Sequence, residues 1–92
     1  MPMSELNSKF RAQLRSQAQT LNPVVMVGQN GITDGVVAML DAALTDHELV
    51  KVRFQDFKDQ VKEMAIDLSQ KTNSALVSVT GFTAVFYRPN PE

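Results

Sequence analysis

Between Val24 and Phe54 the apolar pattern changes period twice, and this alternation constrains the fold more than any other feature of the chain. Val24-Val25-Met26-Val27 is a short unbroken apolar run, the pattern of a strand covered on both faces. After it, Val36, Val37, Leu40 and Leu44 recur at helical spacing, which predicts a helix capped by Thr33 and running to about Asp46. His47-Glu48 marks its exit. Leu49 to Phe54 then alternates, with Val50, Val52 and Phe54 on one face and Lys51 and Arg53 on the other. Strand, helix and strand in that order make a βαβ unit, whose strands run parallel through a right-handed crossover.

The remaining segments extend this unit at both ends. Leu6, Phe10 and Leu14 recur every four residues and predict a first helix from a Ser4 cap to about residue 20, stopped by Asn22-Pro23. Arg11 and Arg15 fall on the flank away from that stripe. Asp56 is the expected cap of a third helix, about 57–72, with Phe57, Val61, Met64, Ala65 and Leu68 inward. Asn73 suits a left-handed ending. Two strands follow, about 75–80 and 82–88, separated by little more than Gly81, a tight hairpin. Val77 and Val79 are expected to face inward, and Thr83 to Tyr87 is apolar on both faces. The expected architecture is α/β: one compact domain over residues 1–92, order αβαβαββ, with a four-stranded mixed sheet in which only the last hairpin is antiparallel.

Composition removes several classes of function. An apolar content of 43% with 21% charged residues is ordinary for a globular chain and argues against disorder. The absence of cysteine excludes disulfides, thiolate metal sites and cysteine nucleophiles, and fits a reducing compartment. With no apolar run of membrane length and no signal-peptide pattern at the start, a soluble, cytoplasmic protein is the expectation. The single histidine, His47, sits at a helix end with no second His, Cys or clustered carboxylate to complete a metal or catalytic site. No enzyme, cofactor or small-molecule substrate is expected.

The loop between the first strand and second helix, Gly28-Gln29-Asn30-Gly31, is the candidate site. A strand that passes through a glycine-flanked loop into a helix N-terminus aims backbone N–H groups outward at the positive end of a dipole, which suits phosphate. Flanking glycines let another backbone come close. The lysine that a P-loop requires is missing, and the spacing is not that of a dinucleotide fold. A backbone-reading RNA module needs less: donors, a few cations and no reactive group. Gly28 to Gly31 with Thr33 supplies the donors. Lys9, Arg11 and Arg15 supply charge, extended by Lys51 and Arg53 if their strand neighbours the first. Net charge is −1, but residues 1–33 hold three cations against one carboxylate, while the rest hold six against nine. Phe82 is the aromatic expected to be exposed. So few aromatics point to recognition of a folded RNA's shape.

Leu14-Arg15-x-x-Ala18, Asn22-Pro23-Val24-Val25, Val27 to Thr33, His47 to Val52 and Tyr87-Arg88-Pro89 occur in that order. The set resembles the CRM domain (chloroplast RNA splicing and ribosome maturation) in its stand-alone bacterial YhbY-like form, from about residue 5 to 89. The resemblance implies a fold like the C-terminal domain of bacterial translation initiation factor three. It also implies RNA binding without catalysis, on ribosomal RNA or precursors of the large ribosomal subunit. The family's G-x-x-G RNA contact corresponds to Gly28, Gln29, Asn30 and Gly31, and its basic first helix to Arg11 and Arg15. Two departures are the mildly acidic balance and an ending, Asn90-Pro91-Glu92, without a basic tail. The alternative is a protein-interaction module that docks a ribosomal protein or assembly factor through the acidic second and third helices.

Overall fold

Four strands form one mixed sheet, and the helices divide between its two faces. The computed structural model describes residues 8–56 and 58–89. Their order is α1 (Ser8–Ala18), β1 (Val25–Val27), α2 (Asp34–His47), β2 (Leu49–Phe54), a 3-10 turn (Lys58–Gln60), α3 (Val61–Lys71), β3 (Ala75–Thr80) and β4 (Thr83–Tyr87). This is the expected αβαβαββ. Ser4, Leu6, Phe57 and the last three residues lie outside the described residues.

The strands lie in the order β1-β2-β4-β3. β1 pairs with β2 in parallel, Val25 opposite Val52 and Val27 opposite Phe54. The second neighbour of β2 is β4, antiparallel, with Val52 opposite Ala84. The expectation that only the final hairpin would be antiparallel is therefore corrected. β3 runs in the same direction as β2, but the hairpin folds β4 into the space between them. The physical reason lies in β4 itself: Ala84, Val85 and Phe86 are all buried. A strand apolar on both faces needs a layer on each side and a neighbour at each edge. Gly81 has φ 57 and Phe82 does not share the left-handed region, which is the pattern of a II′ connection between Thr80 and Thr83.

α2 and α3 cover one face. Leu40 and Leu44 of α2 and Val61, Ala65 and Leu68 of α3 pack on Val25, Val27, Val50, Val52, Phe54, Ala84 and Phe86. Thr33 caps α2 as its sequence suggests, its Oγ1 accepting from the Val36 N–H at 3.2 Å. Asn73, at φ 55, supplies the left-handed residue after α3. Asp56 does not cap α3. The 3-10 turn intervenes, and the N-cap is Gln60, which makes no side-chain cap bond.

α1 lies on the opposite face. Leu14 and Ala18 pack on Ala75, Val77 and Val85, and Phe10 meets Tyr87 edge-on with ring centroids 5.5 Å apart. A register shift between Leu76 and Ser78 turns both Val77 and Ser78 toward this helix. Val79 packs on the other side, so the two valines expected to face inward together do so on opposite faces. α1 leaves the outer face of β1 open. Val25 and Val27 are buried, whereas Val24 is 53% and Met26 45% exposed. The first strand is thus covered on one face, not on both. An unbroken apolar run of four residues cannot report that its strand will be an edge with no second layer above it.

Candidate nucleic-acid interface

The three residues of β1 deliver the chain to the glycine loop at the end of the sheet. The Gly31 N–H donates to the Gly28 carbonyl at 3.0 Å, closing a turn that leaves Gln29 and Asn30 exposed at its tip. The two glycines do different work. Gly31 is buried at φ 73, where a side chain would be strained. A Cβ added at Gly28 would meet only Gln55 Oε1 at 3.9 Å, an ordinary contact. Gly28 is therefore dispensable to the fold and leaves bare backbone beside the turn.

Beyond the turn, Thr33 opens α2, whose first-turn N–H groups lack helical carbonyls. One of them, on Val36, is already held by Thr33. Asp34 stands in the same turn and sets a carboxylate at the positive end of the helix, which weakens its pull on phosphate. Gly35, in the same turn, is exposed, and an added Cβ would meet only Thr33 Oγ1 at 3.7 Å.

The pairing register decides which cations join the turn. Arg53 stands opposite Met26, two residues before Gly28. Lys51 lies on the same face, two residues further back. Its Nζ donates to the Leu21 carbonyl at 3.3 Å, which leaves other ammonium hydrogens available. Arg15, exposed on α1, lines a cleft of about 250 Å³ with Lys51, Ser78, Thr80 and Thr83. Arg15, Lys51 and Arg53 thus share the sheet face that borders the glycine turn.

Lys9 and Arg11 do not join them. Lys9 is exposed six residues, roughly 9 Å, along α1 from Arg15. Arg11 is not a solvated cation: its Nη1 donates to the carbonyls of Leu76 at 3.0 Å and Val77 at 3.4 Å. These carbonyls lie at the register shift of β3, so Arg11 fastens α1 to the sheet there.

Asp34 stands at the turn itself, whereas Asp41 and Asp46 of α2 and Glu63 and Asp67 of α3 belong to the helices that cover the opposite sheet face, where α3 balances its pair with Lys62 and Lys71. The cation of Arg88 is also on that side, where it bonds Asp41. His47 is the last residue of α2 and is exposed.

The sequence did not single out Met26 or Gln55. The Gln55 backbone N–H donates to the Val27 carbonyl at 2.8 Å, and its side-chain amide meets Met26 Sδ at 3.8 Å. With Arg53, Phe54 and Phe82 they line a cleft of about 210 Å³ beside the turn. Strand pairing brings Met26 and Phe82 to the consecutive Arg53, Phe54 and Gln55; the local signals were the open-face position of Arg53 and the exposed hairpin position of Phe82.

Comparison with known proteins agrees over nearly the whole chain. A protein named RNA-binding protein from Haemophilus influenzae is 40% identical over 91 residues, covering 98% of this chain and 92% of its own. One from Pseudomonas aeruginosa, named a probable RNA-binding protein, is 38% identical over 88 residues, covering 95% and 85%. A solution structure from Staphylococcus aureus superposes with a TM-score of 0.83 at 38% identity, covering 95% of this chain and 92% of that one. The model of the CRS1 / YhbY (CRM) domain matches residues 6–88, and the chain belongs to that family.

Proposed function

We propose that this protein is a non-catalytic RNA-binding protein that docks on structured ribosomal RNA and assists assembly of the large ribosomal subunit. The observation that carries RNA binding is the sorting of charge across the sheet. Arg15, Lys51 and Arg53 gather on one face beside the glycine turn, while Asp41 and Asp46 belong to α2 on the other. A chain of net charge −1 can then meet a polyanion with one surface. Gly28, Gln29, Asn30 and Gly31 would hold a backbone phosphate, with Thr33 fixing the start of α2. Lys9 would add charge at the periphery, and Arg11 would act by holding α1 in place. The names carried by the bacterial relatives support RNA as the partner, and the resemblance to the CRM family supports a ribosomal target.

The test is titration of labelled structured RNA from the large subunit with wild type and with the double variant Gln29→Asp/Asn30→Asp, at low and physiological salt. Two carboxylates at the tip should abolish binding while circular dichroism stays unchanged. Equal binding by both proteins would remove the turn from the interface. A second reading rests on Met39 and Ile66, 54% and 41% exposed among the carboxylates of α2 and α3, a surface suited to a protein partner. Binding through that surface would persist as salt rises, whereas phosphate contacts weaken steeply.

A further inference from the structure

α1 shields only part of its sheet face, and the uncovered part combines apolar and cationic groups. In the row nearest the glycine turn, Met26 stands opposite Arg53, and Arg53 opposite Thr83. Phe82, beside Thr83 in the hairpin, is 40% exposed. The two-residue connection holds it there, and its carbonyl accepts from the Phe54 N–H at 2.7 Å. Lys51 occupies the next row, in the cleft that Arg15 borders. Among the described residues, no carboxylate lines either cleft.

We infer that this open part of the sheet seats unstacked bases of single-stranded RNA, with the Phe82 ring as the stacking surface. The inference rests on the RNA-binding reading and extends it from phosphates to bases. An exposed ring and thioether flanked by cations suit a ligand with apolar faces and an anionic backbone. Single-stranded loops and bulges of a folded RNA present such a ligand; a duplex keeps its bases inside the stack. The seat is continuous with the turn through Gln55, whose N–H bonds Val27 and whose Oε1 lies 3.9 Å from the position of a Cβ on Gly28. One strand can therefore lay a phosphate on the turn and a base on Phe82.

Fluorescence anisotropy with a labelled single-stranded RNA and a duplex RNA of equal length tests this, using wild type, Phe82→Ala and Phe82→Tyr. Phe82→Ala should weaken single-strand binding roughly tenfold and leave duplex binding unchanged, and Phe82→Tyr should restore it. A readout that needs no variant is the Phe82 ring resonance, which should shift on addition of single strand and not of duplex. Undiminished single-strand binding by Phe82→Ala, or equal loss for both RNAs, would overturn the base seat. So would wild type that binds duplex alone, an outcome that leaves the phosphate reading standing. Wild type that binds neither RNA would remove that reading and the seat together.

Discussion

The guanidinium of Arg88, with 18% of its side chain exposed, joins three elements at the end of β4. Nη1 donates to Asp41 Oδ1 at 2.6 Å and to the Thr72 carbonyl at 2.7 Å. Nη2 donates to the Asp41 carbonyl at 2.9 Å and to Thr45 Oγ1 at 3.0 Å. Truncation would leave the Thr72 carbonyl and a carboxylate without their charged donor. Arg88→Ala should cost about 2–3 kcal/mol in urea denaturation, with little effect on RNA affinity. The glycines of the turn separate fold from function in a similar way. Gly31→Ala should cost about 1–2 kcal/mol, because its φ of 73 is left-handed. Gly28→Ala should leave the melting temperature nearly unchanged and still weaken RNA binding, if bare backbone there meets phosphate. Tyr87 offers a pH test. Burial first, and the nearby Glu48 carboxylate second, raise its pKa above the ordinary 10.0. The neutral phenol is thus favoured in the folded state, so this contribution is full below about pH 10 and is lost as pH rises through the raised value. The chain has one tyrosine, so near-ultraviolet absorbance reads it directly. Glu48→Gln should lower the midpoint part of the way, with burial holding the remainder.

Among the elements, α1 rests on the lesser of the two buried clusters, through Leu14 and Ala18, with Arg11 fastening it to β3. Leu14, 3% exposed, should cost about 2–4 kcal/mol when cut to alanine, and the amides of α1 should lose hydrogen-exchange protection before those of α2. β1 shows the reverse arrangement. It is short and lies at an edge, yet α2 seals its inner residues while Val24 and Met26 stay open. The periodicity of β2 was readable because one buried face leaves alternation in the sequence. β1 was misread because an exposed apolar residue leaves the same letters as a buried one. The caps at Thr33 and Asn73 were readable because cap chemistry is local, and Asp56 failed because an irregular turn displaced the helix start.

At the scale of the whole molecule, the sheet separates Arg15, Lys51 and Arg53 from Asp41 and Asp46 of α2. Binding through Arg15, Lys51 and Arg53 would neutralise about three phosphates, so the logarithm of affinity should fall against the logarithm of salt with a slope of about −2 to −3. Arg53→Gln should reduce that slope by about 1, measured on one RNA across a salt series. A flat dependence would transfer the interface to the face covered by α2 and α3. The chain by itself determined the order of elements, the inward faces of α2 and β2, the capped start of α2 and the glycine turn, since period and cap chemistry act within a few residues. Only the tertiary structure decided the strand order, the uncovered face of β1, the fastening of Arg11 on β3 and the place of Arg53 beside the turn. Those depend on strands that meet from distant parts of the chain, where burial and pairing, not local pattern, choose the neighbours.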